Sequence, residues 1–331
     1  MTSAAGYSRA PARAWKVLFF AGLVLCAAVP GAAAEKYPDR VIKIVQPFPA
    51  GGSTDVLARG LAQKLSEALG QPVIVESRPG ANGIVGAQSV ARSAPDGYTM
   101  LLTTGSHTAN PHVAKNLPYN ALKDFTPITQ LAGSYGLALI TTRPFNTVAD
   151  LVAAAKAKPG TLSYGTSGLG NLTHVSGRLF EVRAGISMIS VPYNTPALLP
   201  DTLSGNISMT FNSLITATPL VKQGQFKALA ITGDRRSPAL PDTPTMTEAG
   251  IKDYVLTGYF GILFPAGVPR ERVELIAHES IKALASPELK RIVEDNGLFV
   301  VGSQPDEFAV YLKKDFAFQG ALMDELGLKA K

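Results

Sequence analysis

Two short stretches concentrate the residue types that chemistry needs. One is Pro47-Phe48-Pro49-Ala50-Gly51-Gly52-Ser53-Thr54-Asp55, set between the apolar run Val41–Gln46 and a stretch with apolar residues at helical spacing. The other is Tyr164-Gly165-Thr166-Ser167-Gly168-Leu169-Gly170-Asn171-Leu172-Thr173-His174, which also leads from a strand-like run into an amphipathic one. In the first, Gly51 and Gly52 let the backbone turn tightly and approach a ligand without side-chain obstruction. Ser53 or Thr54 suits a helix cap and Asp55 its first turn. The remaining free N–H groups and the positive dipole end can accept a small anion. The bland alternative is a plain strand-to-helix turn with Asp55 as its cap.

Nucleotide chemistry fails at both places. A phosphate loop needs a lysine directly after its last glycine, whereas Ser53 follows Gly52 and no lysine appears before Lys64. Gly51-Gly52 is not G-x-G-x-x-G, and Gly168-Leu169-Gly170 fails because its last required position is Thr173. Ser167 is not in a G-x-S-x-G elbow, since Leu169 stands two residues on. A secreted hydrolase using Ser167 or Ser106 with His174 or His107 is the rival from another class, but no acid completes either pair. His107, His112, His174 and His278 show no metal-ligand spacing. The expectation is a binding protein with no catalysis, no metal and no cofactor. Neither loop holds Arg or Lys, so two helix N-termini would grip the two ends of one anion with N–H groups, hydroxyls and bridging water.

The elements that must position these loops alternate, which predicts an α/β fold with mainly parallel sheets. Strand patterns fall at 41–45, 73–76, 99–103, 137–141, 162–164, 188–191, 207–211 and 228–231. Helical patterns fall at 54–69, 83–93, 148–157, 172–184, 197–203 and, more faintly, 219–223, with helical blocks at 270–296 and 305–326. So many strands exceed one sheet, yet no linker divides the chain. Two lobes joined by strand-like crossings at 128–139 and 254–263 fit both facts, with a cleft between them for a small ligand. Lobe 1 would be 35–137 plus 257–331 and lobe 2 would be 138–256.

The N-terminus reads as a secretory signal. Arg9, Arg13 and Lys16 precede the apolar core 17–29, and Ala32-Ala33-Ala34 supplies the small residues for cleavage after Ala34. The core is shorter than the roughly 20 residues of a membrane span. Cys26 is the sole cysteine, and Leu25 before it disfavours a lipoprotein signal. The mature chain then starts at Glu35 without a thiol, in the periplasm or outside. The formal net charge of +6 falls when the basic leader is removed. No Lys/Arg run interleaves with aromatics, so nucleic acid is not an expected partner.

The stretches "YPDRVIKIVQPFPAGGSTDVLAR", "NGIVGAQSVARSAPDGYTMLL", "YGTSGLGNLTHVSGRLF", "VPYNTPALLPDTLSGNISMTFN" and "LPDTPTMTEAG" followed by "FPAGVP" resemble the Bug-type extracytoplasmic solute receptors of tripartite tricarboxylate transporters. The resemblance spans nearly all of the chain after Ala34. It implies a two-lobed periplasmic binding protein fold, type II-like, that closes on a carboxylate. It also implies that Ala50, Gly51, Gly52, Ser53, Thr54 and Asp55 hold one carboxylate through backbone groups and ordered water. Thr104, Ser106 and His107, with Thr166, Ser167, Asn171 and His174, would complete the site. The implied partners are one large and one small membrane subunit of a secondary transporter, served by a monomeric receptor. A subunit sensing its ligand for a membrane kinase is the alternative on the same fold.

Where the family often has Lys or Arg with glycine after the "VPY" tyrosine, Tyr193, this chain has Asn194-Thr195. Where it often has aspartates in the next strand, this chain has Ser208 and Asn212. Acids are sparse near the expected cleft, and a ligand ammonium would need one. A plain di- or tricarboxylate is therefore expected rather than an amino acid, with Asn212 among the site residues. Phe48, Tyr164, Tyr193, Phe211 and Tyr259 are candidate walls for an aliphatic or aromatic body, of which Phe48 and Tyr193 are assigned to the site.

Overall fold

The computed structural model describes residues 37–168, 171–193 and 197–329. The leader with Cys26 and the Ala34 cleavage point, and the positions 169–170 and 194–196, lie outside the described residues. Strand β1 (Ile42–Gln46) leads into helix α1 (Ser53–Leu69), followed by β2 (Val73–Ser77), α2 (Ile84–Ala91), β3 (Thr99–Thr104) and α3 (Ser106–Val113). A long strand β4 (Phe125–Ser134) then crosses to β5 (Leu137–Thr141). The next elements are α4 (Val148–Ala157), β6 (Ser163–Thr166), α5 (Leu172–Ala184), β7 (Ile189–Pro192), α6 (Leu198–Leu203), β8 (Met209–Ser213), α7 (Leu214–Lys222) and β9 (Lys227–Ile231). The chain returns through β10 (Tyr259–Pro265) and ends with α8 (Arg270–Leu284), α9 (Pro287–Asp295), β11 (Leu298–Val300) and α10 (Pro305–Glu325).

These strands form two sheets, one ordered β11-β4-β10-β3-β1-β2 and one ordered β7-β6-β8-β5-β9. Strand β1 runs parallel to β2 and β3, and β6 runs parallel to β7 and β8. The sheets are mixed rather than mainly parallel. Strand β10 runs antiparallel to β3 and β4, and β5 runs antiparallel to β8 and β9. The reason is the crossings: a strand that carries the chain from one sheet to the other runs against its neighbours.

Local sequence explains the supports. In α1, Leu57, Leu61 and Leu65 recur every fourth residue and are buried, with Ala58 and Ala62 beside them. Each such leucine contributes about 1.5–3 kcal/mol on burial. Gly70 ends the helix in the left-handed region, at φ 65°, with its N–H on the Ser66 carbonyl. In α4 a Thr147/Asp150 capping box fixes the start. The expected helical block at 270–296 is two helices, because Ser286 caps a new start and Pro287 opens it.

The two crossings are tied at Thr232. Its hydroxyl accepts from the Leu137 N–H at 2.8 Å and donates to the Leu256 carbonyl at 2.6 Å. Gly136 turns beside it at φ +93°, where a Cβ would stand 2.3 Å from Thr232 Oγ1. A side chain there would both strain the backbone and collide.

Candidate ligand-binding site

Elements of both sheets line a cavity of about 350 Å³, within the usual size of a small-ligand site. Its residues come from the β1–α1 loop (Phe48, Ser53, Thr54), Asn82, the β3–α3 junction and α3 (Thr104, Gly105, Ser106, Ala109) and the crossings (Ser134, Gly136, Leu137, and Thr257 to Phe260). The remainder come from the start of α5 (Asn171, Leu172, Val175), the β8–α7 junction (Ser213, Leu214), the turn Asn296-Gly297-Leu298, and Gln319 and Met323 of α10. None of these side chains carries a charge.

The first glycine loop is held from below by a residue that sequence reasoning passed over. Gln46 is fully buried; its Nε2 donates to the Phe48 carbonyl at 2.6 Å and its Oε1 accepts from the Phe48 N–H at 2.9 Å. Ser77 Oγ adds a second donor to that carbonyl at 2.9 Å. Helix α1 starts from Gly52 with no side-chain cap, so neither Ser53 nor Thr54 caps it. The N–H groups of Ser53 and Thr54 meet no acceptor among the described residues. Asp55 turns back into the loop: its Oδ2 accepts from Gly51 N–H at 3.1 Å and from Arg59 Nε at 3.0 Å. The hydrogen bond from Arg59 is the main reason its carboxyl lies below the usual range. Of the six loop residues assigned to the ligand, Ser53 and Thr54 line the cavity, whereas Ala50, Gly51, Gly52 and Asp55 shape the loop.

The second glycine loop behaves differently. Asn171 caps α5, its Oδ1 accepting from Thr173 N–H at 3.0 Å. Ser167 N–H donates to Thr173 Oγ1 at 2.9 Å and Gly168 N–H to Thr166 Oγ1 at 3.4 Å. Asn171 lines the cavity; Thr166, Ser167 and His174 do not. An uncapped start that reaches the cavity from the second sheet belongs instead to α7: Ser213 precedes it without a side-chain cap hydrogen bond, and Ser213 and Leu214 line the cavity. Its neighbour Asn212 does not, because successive side chains of β8 point to opposite faces.

Thr104 and Ser106 line the cavity, their hydroxyls 3.1 Å apart. His107 is turned away. Its Nε2 meets the Ala121 carbonyl at 2.8 Å, and its ring packs against Tyr119 and Phe125 with centroids 5.9 and 4.7 Å away. Nδ1 has no partner among the described residues, so Nε2 carries the proton, and burial lowers the imidazole to about 4. Neither Ser106 nor Ser167 hydrogen-bonds His107 or His174 among the described residues, so the hydrolase pairs do not form.

Tyr193 is outside the cavity. Its hydroxyl donates to Asp201 Oδ2 at 2.7 Å, and burial followed by that carboxylate pushes it up to about 12. Tyr164 and Phe211 are core residues. The apolar wall is made by Phe48 and Tyr259 with Leu172, Val175, Leu214, Phe260, Leu298 and Met323. Phe48 and Tyr259 are among the expected walls, whereas Leu214, Phe260, Leu298 and Met323 come from segments distant in sequence from either glycine loop, which is why loop reading did not find them.

Two sheets joined by paired crossings around an uncharged cleft define a two-lobed solute-binding protein of the periplasmic type. Comparison with known proteins gives the family. The tripartite tricarboxylate transporter family receptor model matches residues 57–328. BugT of Bordetella pertussis is 32% identical over 304 residues, covering 90% of this chain and 93% of BugT. Rpa4515 of R. palustris, solved with adipate, superposes with a TM-score of 0.82 at 32% identity, covering 89% of this chain and 99% of that one. MatC from Rhodopseudomonas palustris, solved with malate, gives 0.77 at 26% identity over 86% of this chain and 99% of that one. The chain belongs to the tripartite tricarboxylate transporter receptor family.

Proposed function

We propose that the protein captures a small carboxylate in this cavity and presents it to the large and small membrane subunits of a tripartite transporter. One carboxylate would sit on the Ser53 and Thr54 N–H groups, with the hydroxyls of Thr104 and Ser106 beside it. The opposite polar end of the ligand would meet Ser213 at the start of α7, with the helix-capping Asn171 in the wall nearby. The apolar wall takes the body between. The observation that carries this reading is the uncapped start of α1 opening onto a cavity without a charged side chain. Such a grip is made of backbone and dipole, and it stabilises an anion without a permanent counter-charge. The same reading keeps 35–137 plus 257–331 and 138–256 as the two lobes that close on the ligand, and has the mature receptor begin at Glu35 in the periplasm. Adipate bound to Rpa4515 and malate bound to MatC support the ligand class.

The test is thermal unfolding of residues 35–331, refolded from denaturant to strip retained ligand, against aliphatic, aromatic and amino carboxylates. A ligand at about 100 times its Kd adds roughly 2.7 kcal/mol of stability. Stabilisation by a few plain carboxylates supports the reading. A shift only with aspartate or glutamate overturns the plain-carboxylate assignment. No shift across the panel overturns carboxylate capture.

A further inference from the structure

Beneath the cavity lies a carboxyl group that the binding scheme does not use. Asp315, partly buried on α10, accepts a short hydrogen bond at Oδ2 from Thr108 Oγ1. Thr108 Oγ1 also stands 3.0 Å from the Gly105 carbonyl. A threonine hydroxyl has one proton, so it donates to one of these acceptors at a time. Gly105 lines the cavity and precedes α3. Gln319, one helical turn beyond Asp315 on the same face, lines the cavity. Asp315 is therefore linked through Thr108 to Gly105 of the cavity lining and has a second lining residue beside it on its own helix.

No Lys or Arg among the described residues pairs with this carboxyl. Helix α3 presents Thr108, while its His112 is occupied with the Phe316 carbonyl at 3.0 Å. Strand β10 presents Tyr259, and α10 itself Tyr311, whose phenols are both pushed up, chiefly by burial and further by the Asp315 charge. Strand β4 carries no titratable side chain, and α8 meets α10 near its start, where Arg270 pairs with Asp306. Burial raises the Asp315 carboxyl above its ordinary range, opposed by the Thr108 hydroxyl and the nearby Gln319 amide, with no Lys or Arg contributing.

We propose that Asp315 is a proton-linked positioning residue, so that capture of a carboxylate in the cavity is accompanied by proton uptake at this side chain. Ionised, it accepts the Thr108 hydroxyl hydrogen bond, leaves the Gly105 carbonyl without that donor, and repels an anion in the cavity. Protonated, its O–H donates to Thr108 Oγ1, and the Thr108 proton turns to the Gly105 carbonyl. The charge under the floor disappears in the same step. Affinity for an anion is therefore highest below the folded-state pKa of Asp315 and declines as pH rises through it. This inference rests on the carboxylate reading given above.

The test uses adipate, titrated calorimetrically between pH 4.5 and 7.5 in buffers of different ionisation enthalpy, with wild type and Asp315→Asn. Adipate's own titration is common to both proteins, so their difference isolates Asp315. Wild type should take up a fraction of a proton per adipate bound, and D315N less. At pH 7.5 D315N should bind roughly three- to tenfold more tightly, the effect of removing a partly screened like charge from near the anion. Thr108→Val, which removes the donor to the ionised carboxyl, should move the wild-type pH dependence to higher pH and serves if D315N folds poorly. Superimposable pH profiles and proton counts in folded variants overturn the inference. So does an equal loss of affinity at every pH, which a merely structural role predicts. If wild type binds no carboxylate of the wider panel at any pH, the carboxylate reading falls and this inference with it.

Discussion

The two glycine loops have the same plan, a strand, glycines with hydroxyls, and a helix start, yet the structure uses them in opposite ways. At 46–55 the side chains hold the loop from outside, Gln46 at Phe48 and Asp55 at Gly51, and leave the first N–H groups of α1 open. At 165–174 the hydroxyls of Thr173 and Thr166 and the amide oxygen of Asn171 take up the N–H groups of Ser167, Gly168 and Thr173. A helix start can serve a ligand only where the protein has not already satisfied it. The lesson extends to α7, whose uncapped start at Ser213 replaces the capped α5 as the second candidate anchor.

The largest test of this contrast removes one N–H without removing the helix. Proline is tolerated at the first helical position, where no intrahelical bond is lost. Gly52 at φ −84°, ψ 176° already has the extended backbone a following proline requires. Ser53→Pro should therefore keep the thermal stability of the unliganded protein and weaken carboxylate binding roughly 10- to 100-fold, the worth of a hydrogen bond to a charged group. Ser53→Ala, which keeps the N–H and loses only the hydroxyl, should weaken binding less. Equal affinities for S53P and wild type by calorimetry would break the comparison at its stronger half.

His107 sharpens the same point, being a site candidate whose polar atoms the core absorbs. Its folded value of about 4 lies below the ordinary 6.5, so the neutral ring contributes stability that is complete above pH 6.5. That contribution is lost as pH falls through 6.5 toward 4, because the unfolded chain takes up the proton first. The loss at pH 5 is on the order of 2 kcal/mol. Urea unfolding of wild type and His107→Gln at pH 7.5 and pH 5 should show a steeper pH dependence in wild type. Parallel dependences would mean that His107 is solvated, as a residue facing the cavity would be.

Much of this arrangement was legible because it rests on local pattern. The helices 148–157 and 172–184 stand where periodicity and caps place them, and the paired crossings follow from having too many strands for one sheet. What was not legible depends on contacts between distant segments. Gln46 reads as a polar interruption in an apolar strand until its amide is seen clamped to Phe48. The uncapped start of α7 hides in Leu214-Ile215-Thr216-Ala217-Thr218-Pro219, whose β-branched residues and internal proline are poor helix signals. Gln319 and Met323 join the cavity from the last helix. Gly51 makes the tight turn expected of it, at φ +86°, whereas Gly52 at φ −84° has ordinary extended backbone. Which N–H groups stayed open depended on where Asp55 pointed, and no spacing rule states that.

The smallest effect concerns the capped loop. Asn171 lines the cavity, yet its Oδ1 is engaged by Thr173 N–H and Thr173 Oγ1, the latter at 3.2 Å. Removing that cap with Asn171→Ala should cost about 1 kcal/mol of stability, the usual penalty for losing a helix cap. Asn171→Asp, which supplies another capping oxygen, should recover most of it in thermal unfolding of the unliganded protein. The aspartate would also place a carboxylate in the cavity wall and weaken anion binding, whereas at Ser53 the proline variant loses affinity without losing stability. Asn171→Ala should thus lose stability and keep most of its affinity, while Ser53→Pro keeps stability and loses affinity. If N171A instead leaves stability intact and loses as much affinity as S53P, Asn171 is a direct ligand contact and the second loop is as open as the first.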